Sequence, residues 1–222
     1  MVSAKSASGE GAHPKKWLIA YNSISSSLWT IVFFNTIFLG LLVGQPYLFE
    51  KTNFITTLIQ TFAIIEIYNS ATGIVKSPIF TTTTQVFSRL LIVWGICQLL
   101  PESPANYHWI YISLNLSWSI TEIIRYSYYA ANLMDPQSVP DWLTWLRYTT
   151  FYVLYPTGVA SETYMIYLSL DEAANVFGVW LKYGLIVILF TYIPGFYMLY
   201  TYMIKQRKKV LGKSKVTEKK SQ

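Results

Sequence analysis

Tyr155 and Glu162 are the two residues whose types and spacing point most directly to chemistry. They lie in residues 145–167, a stretch apolar enough for a bilayer that also carries Arg147. A charged side chain at membrane depth costs at least ~2.5–3.5 kcal/mol on insertion scales, so such residues are candidates for a functional site. Tyr155 and Glu162 are separated by nearly two helical turns, so a regular helix would present both on one face, about 10 Å apart along its axis. We interpret them as an acid–base pair that acts on either side of a bound substrate.

The residues between this pair are also unusual for a helix. Pro156 lacks a backbone N–H and Gly158 permits dihedral angles that other residues avoid, so we expect a local bend at this point. Tyr155 alone would be unremarkable, because the chain contains 18 tyrosines. Its combination with Glu162 across this segment is the informative feature.

The composition places the chain among membrane proteins. Of its 222 residues, 53% are hydrophobic and only 13% are charged, whereas soluble domains carry about 25% charged residues. Six apolar stretches are each long enough to cross a hydrocarbon core of about 30 Å. They cover approximately residues 17–43, 54–75, 82–100, 107–131, 142–170 and 176–204. The sequence therefore predicts an all-α fold, a polytopic membrane protein built as a six-transmembrane-helix bundle.

The polar segments complete the predicted organisation. Residues 1–16 are predicted to form a disordered cytosolic head, residues 17–204 the catalytic transmembrane domain, and residues 205–222 a basic cytosolic tail. Eight of the 17 lysines and arginines lie in that tail. A basic segment directly after an apolar helix is typical of a cytosolic anchor, so no nucleic acid partner is expected. Cys97 is the single cysteine, and the two histidines lack ligand partners at helical spacing. No metal site and no cofactor are predicted.

The distribution of lysine and arginine predicts the orientation. An even number of spans places both termini on one membrane face, and nearly all basic loop residues fall on that face. The positive-inside rule makes this face cytosolic. Lys219 and Lys220 near the end of the chain also match a dilysine retrieval signal for the endoplasmic reticulum, so the protein is expected in that membrane.

Lys182 lies near the far rim of the sixth predicted span, where its side chain can reach the interface. Five other charged residues besides Glu162 fall within the predicted spans, mostly in their cytosolic halves: Glu66, Arg89, Glu122, Arg125 and Arg147. One interpretation is that they form buried ion pairs that fix the order of the helices. The other is that they line a polar cavity open to the cytosol. Three arginines outnumber two glutamates, and the surplus of positive charge would suit a ligand that bears phosphate. Both interpretations stay open from the sequence.

Four motifs resemble the very-long-chain (3R)-3-hydroxyacyl-CoA dehydratases, six-span enzymes of fatty acid elongation in the endoplasmic reticulum. The motifs are IIEIYNSATGIVKSP (64–78), TQVFSRLL (84–91), WSITEIIRYSYY (118–129) and LYPTGVASE (154–162). The resemblance covers most of the chain, from about residue 44 to residue 209. It implies that Tyr155 and Glu162 are catalytic. It also implies functional roles for Arg89, Glu122, Arg125, Arg147 and Gly158.

The resemblance further implies a reaction and its partners. A 3-hydroxyacyl-CoA would lose water to give a trans-2-enoyl-CoA, with an elongase, a ketoreductase and an enoyl reductase as neighbouring enzymes of the cycle. We assign Glu162 as the base and Tyr155 as the proton donor to the 3-hydroxyl group, while the reverse assignment stays open. The arginines would hold the CoA phosphates, and the acyl chain would extend between the spans toward the far leaflet.

Other functions have weaker support in the sequence. Such proteins have also been described as phosphatase-like, but the sequence does not support phosphatase activity. That chemistry needs an arginine six residues after a cysteine, and the residue six positions after Cys97 is Ser103. A proton-coupled transporter could use buried glutamates and arginines, but an internal repeat is not evident. A non-catalytic scaffold of the endoplasmic reticulum membrane would explain ion pairs but not the Tyr155–Glu162 pair.

Overall fold

The computed structural model describes the backbone of residues 12–218 and the side chains of residues 16–212, and within this range every regular element is a helix. The predicted all-α class is thereby confirmed. The α-helices are α1 (Ala12–Leu42), α2 (Tyr47–Phe62), α3 (Ile64–Ala71), α4 (Ile79–Leu90), α5 (Pro104–Tyr107), α6 (Trp109–Met134), α7 (Asp141–Thr149), α8 (Phe151–Leu168), α9 (Leu170–Phe177) and α10 (Val179–Glu218). A π-helix (Leu91–Gln98) continues directly from α4.

Helix α6 is the centre of the bundle. Helix α1 packs antiparallel along it: the hydroxyls of Ser26 and Ser127 lie 2.8 Å apart, and Gly40 near the other end of α1 faces Ile112. Small side chains on both helices allow this close approach. Helix α8 packs antiparallel on another side of α6 and in turn contacts α10. The elements that carry the predicted catalytic pair therefore rest on the central helix.

Two of the predicted spans are interrupted. The second is divided into α2 and α3 at Ala63, and α3 ends before Gly73, whose φ of 72° is a left-handed conformation. The fifth is divided into α7 and α8 at Thr150. A tight turn is formed there, in which the Val153 N–H donates to the carbonyl of Thr150, three residues earlier, at 3.1 Å. Helix α8 is itself continuous across Pro156. The interruption of this span thus lies about two turns before residues 156–158, where the sequence predicts a local bend.

Among the described residues, three helical stretches are long and apolar enough to cross a membrane: Lys16–Leu42, Ile79–Gln98 and Val179–Gly212. The chain is thus a helical membrane protein, while the predicted number of six spans stays a prediction. Helix α1 begins at Ala12, inside the range predicted as a disordered head, whereas residues 1–11 lie outside the described part of the chain. Helix α10 continues through the predicted tail as far as Glu218. The dilysine pair Lys219 and Lys220 also lies outside the described residues.

A compact apolar core closes one half of the bundle. It joins the π-helix, α6, α8 and α10 through side chains that are at most 3% exposed: Ile92, Ile96, Leu114, Met165, Ile166 and Leu185. Fully burying one such side chain contributes roughly 1.5–3 kcal/mol. The other half of the bundle is open, and the charged residues lie there.

Candidate active site

All eight residues predicted for the site line one cavity of about 1160 Å³. They come from five helices: Glu66, Arg89, Glu122, Arg125, Arg147, Tyr155, Gly158 and Glu162. Helices α4, α6, α8 and α10 form the walls, and the apolar core forms the floor. The two interpretations of the charged residues can therefore be compared residue by residue.

Glu162 lies at the floor of this cavity and is held by two neighbours. Its Oε1 accepts a hydrogen bond of 3.0 Å from the Trp118 indole N–H on α6, and its Oε2 accepts one of 2.9 Å from the Tyr192 hydroxyl on α10. The carboxylate is buried, with 6% of the residue exposed. Because an indole N–H can only donate, the carboxylate acts as acceptor and its orientation is fixed. This geometry suits a group that receives a proton.

Tyr155 lies on the same wall, closer to the mouth of the cavity. Its ring stacks on Phe196 of α10, with ring centroids 5.3 Å apart and planes 13° apart, and Tyr200 extends the stack. Within the described residues its hydroxyl makes no hydrogen bond to protein. The ring is therefore positioned by stacking while the O–H stays available to a ligand.

Gly158 occupies the surface between the pair. It lies one turn from each of them on α8, and it is buried against α6. A Cβ added here would meet only Ser117 Cβ, at 3.8 Å, which is ordinary van der Waals contact. The glycine thus leaves room for a ligand between Tyr155 and Glu162. The left-handed freedom of glycine is not used here, because α8 is regular at this point.

Four of the charged residues form the network that the ion-pair interpretation predicts. Arg125 binds Glu66 through two nitrogens, each 2.7 Å from an oxygen, and also donates to Glu122 through Nε at 2.8 Å. Arg89 in turn pairs with Glu122, and Tyr126 donates to Glu66. The network joins α3, α4 and α6 into one wall of the cavity. The carboxylates of Glu66 and Glu122 neutralise the charges of Arg89 and Arg125, so these two arginines offer no surplus charge to a ligand.

Arg147 differs from the other two arginines in its partners. Among the described residues it has no carboxylate partner; its guanidinium donates to the Tyr129 hydroxyl at 3.0 Å and lies over the Tyr129 and Tyr148 rings. Its Nε is buried and lacks a hydrogen-bond partner. A guanidinium presents five donors in a planar fork that matches phosphate. The positive surplus counted from the sequence is therefore located on Arg147.

Sequence reasoning missed Trp118, Tyr192 and Tyr129, which hold Glu162 and Arg147. Trp118 falls inside a quoted motif, but nothing in its local pattern distinguishes it from seven other tryptophans. Tyr192 and Tyr129 are similarly hidden among the tyrosines. Their roles arise from contacts between helices that are distant in sequence.

Cys97 lies away from this chemistry. It is 2% exposed within the apolar core and does not line the cavity. It is therefore not placed to act as a nucleophile on a ligand bound there.

The family model and the similar proteins found by comparison agree on one family. Residues 60–213 match the model of the protein tyrosine phosphatase-like protein family, PTPLA. A very-long-chain (3R)-3-hydroxyacyl-CoA dehydratase of Caenorhabditis elegans is 40% identical over 210 residues, covering 88% of this chain and 94% of the relative. A probable enzyme of the same name from Schizosaccharomyces pombe is 41% identical over 202 residues, covering 88% and 92%. A dehydratase 2 of this name from Mus musculus is 34% identical over 217 residues, covering 92% and 84%. No solved structure matches the chain significantly.

Proposed function

The chain belongs to the PTPLA family of protein tyrosine phosphatase-like proteins, and we propose that it is a lyase that dehydrates (3R)-3-hydroxyacyl-CoA to trans-2-enoyl-CoA in very-long-chain fatty acid elongation. The reaction and substrate follow the names of its relatives. One observation carries the proposal: Tyr155 and Glu162 line the same cavity as Arg147, which has no carboxylate partner among the described residues. The transporter and scaffold alternatives have no comparable support in the site.

In the proposed mechanism Glu162 is the base. Its carboxylate removes a proton from C2 of the thioester, and the electron pair of that C–H bond forms the C2–C3 double bond. The C3–O bond breaks, and the Tyr155 phenol donates its proton to the departing oxygen, which leaves as water. Glu162 is then protonated and Tyr155 is a phenolate, and a proton passing between them through water restores both groups. The hydrogen bonds from Trp118 and Tyr192 support this assignment because they present Glu162 as an acceptor.

Arg147 binds the CoA phosphates in this proposal. Its contact with Tyr129 and the Glu162 contact with Trp118 both fall on α6, and these two points are about 16 Å apart at ~1.5 Å per residue. An extended phosphopantetheine arm would cover a separation of this order. The phosphates would then lie beside Arg147 while the thioester reaches Glu162. Arg89 and Arg125, engaged with glutamates, have a structural role instead.

The membrane arrangement is also part of the proposal. We assign six crossings, with α2–α3 and α7–α8 as interrupted spans and α6 as the span that carries the ion network. The charge distribution supports two cytosolic termini, with Arg147 near the cytosolic mouth of the cavity. The endoplasmic reticulum is the proposed location. Other enzymes of the elongation cycle, an elongase, a ketoreductase and an enoyl reductase, are the proposed partners.

The direct test is incubation of the purified protein with (3R)-3-hydroxyacyl-CoA of graded chain length. Formation of trans-2-enoyl-CoA, followed by mass spectrometry, is expected from the R isomer and not from the S isomer. The Glu162→Gln variant is the matched control for contaminating activity. Absence of enoyl product at every chain length, from protein that is folded and monodisperse, would refute the proposed function.

A further inference from the structure

The cavity ends at the level of Glu162. The deepest lining residues are Leu91 at the start of the π-helix, Ser117 on α6, Glu162 on α8 and Ile188 on α10. Immediately below them lies the apolar core, in which Met165 and Ile166 are fully buried. The route toward the far leaflet that was expected from the sequence is therefore closed. A substrate that reaches Glu162 from the mouth must turn there.

The volume of the cavity also limits how much of the substrate it can hold. Pockets of about 300–1,000 Å³ bury drug-sized ligands, and this cavity of about 1160 Å³ is only slightly larger. The CoA thioester of a very-long-chain acid is far larger than such a ligand. The pantetheine arm would itself occupy the part of the cavity between Arg147 and Glu162. An acyl chain that stayed inside would have to share the remaining volume, which does not extend past Glu162.

One wall of the cavity offers an exit. Helix α4 packs mainly on α2, α3 and the π-helix, whereas α10 packs on α7, α8 and α9, so the backbones of the two helices share little packing. Their close approach at this level is between the Ser88 side chain on α4 and Tyr192 on α10. Phe87 on α4 lines the cavity and is 65% exposed. Thr191 on α10 also lines the cavity and is exposed. A Cβ added to the neighbouring Gly195 would meet no atom within 4 Å. These three residues border a gap between the helices.

This gap opens toward lipid. Both bordering helices belong to stretches that are long and apolar enough to cross a membrane. The residues that border it are uncharged, so a hydrocarbon chain passing through would meet no cost of burying charge. The gap also lies close to the reacting centre, because Tyr192, which donates to Glu162, is one residue from Thr191. An acyl chain leaving C3 would reach the bilayer directly.

We propose that the gap between α4 and α10, bordered by Phe87, Thr191 and Gly195, is a lateral portal through which the acyl chain of the substrate extends into the bilayer. This inference rests on the proposed function and specifies how the same site accepts very long chains. The protein contacts only the first carbons beyond the reacting centre. The membrane accommodates the remainder, so the enzyme has no internal limit on chain length.

Gly195→Trp tests the portal, and Gly184→Trp is its matched control. Gly184 lies on the same helix, is exposed and has open space around it, but it does not line the cavity. The Gly195→Trp variant is expected to lower kcat/KM at least tenfold for substrates whose chains are long enough to pass the gap. It should leave a four-carbon 3-hydroxyacyl-CoA within about twofold of the unmodified protein. Gly184→Trp should leave kcat/KM unchanged for both the long-chain and the four-carbon substrates.

A photoreactive diazirine on the last carbon of a long 3-hydroxyacyl-CoA provides an independent measurement in the unmodified protein. In nanodiscs, we expect the label on bilayer lipid and on α4 and α10 peptides. An equal effect of Gly195→Trp on both chain lengths, or labelling of the core around Leu114 and Met165, would overturn the portal. Lack of turnover by the unmodified protein at every chain length would instead overturn the proposed function, so the two failures can be distinguished.

Discussion

The indole N–H of Trp118 on α6 donates to Glu162 Oε1 on α8 across a distance of 3.0 Å. The Tyr192 hydroxyl on α10 binds the other carboxylate oxygen at 2.9 Å. Three helices that are distant in sequence thus fix one carboxylate at the floor of the cavity. Such positioning places a catalytic group in its reactive geometry before the substrate binds.

Trp118→Phe and Tyr192→Phe should each lower kcat with little change in KM, because each removes one hydrogen bond to a charged group. Such a bond contributes ~1.5–3 kcal/mol, which corresponds to roughly 10- to 100-fold in rate. The double variant should lose less than the product of the two single effects, because both residues orient the same carboxylate. Steady-state kinetics on folded protein measures this. A pure rise in KM would contradict a positioning role.

Tyr155→Phe and Glu162→Gln should each reduce kcat by roughly 10²- to 10⁴-fold, since each removes a proton-transfer group. Both substitutions nearly preserve side-chain volume, so folding should be retained. Tyr167→Phe is the matched control, because Tyr167 is an exposed tyrosine on the same helix and does not line the cavity. Either variant turning over at a near-normal rate would remove that residue from the mechanism.

Gly158→Ala and Gly158→Leu should differ sharply. The alanine Cβ would lie 3.8 Å from Ser117 Cβ, so we expect folding and activity within about fivefold of the unmodified protein. A leucine would project into the space between Tyr155 and Glu162 and should abolish turnover by excluding the substrate. Activity and thermal melting are measured together. Equal activity of the two variants would show that the substrate does not pass this surface.

Arg147→Ala should raise KM for the CoA substrate by roughly 10-fold or more, because the lost guanidinium makes charge-assisted hydrogen bonds to phosphate. A short pantetheine thioester lacks the nucleotide phosphates and should be affected little. The ratio of the two KM changes is the measurement. Equal changes for both substrates would place the phosphates elsewhere.

Glu66→Ala should destabilise the protein, because it leaves Arg125 with half of its carboxylate partners in a low-dielectric setting. Breaking a buried ion pair by removing one partner costs about 3–5 kcal/mol, which lowers the melting temperature by on the order of 10 °C for a chain of this size. Thermal unfolding in detergent measures the effect. Glu102→Ala, at an exposed loop position, is the control and should melt like the unmodified protein.

The sequence by itself determined the helical class, the family, and eight of the residues that line the cavity. Tyr155 and Glu162 could be placed on one face because helical periodicity is local: residues seven apart share a face whatever lies around them. With Glu162 set aside as catalytic, the excess of three arginines over two glutamates within the spans was likewise countable from the sequence.

Only the tertiary structure decided which arginine lacks a carboxylate partner within the described part of the chain, what holds Glu162, and where the cavity ends. Arg89 and Arg125 form ion pairs with Glu66 and Glu122. Of the three arginines, Arg147 is therefore the one outside this network. Each of these outcomes depends on how helices rotate and pack against each other, and the partners lie up to 60 residues apart in the chain. Contacts at such separations follow from the packing of whole helices, which local patterns of polarity do not specify.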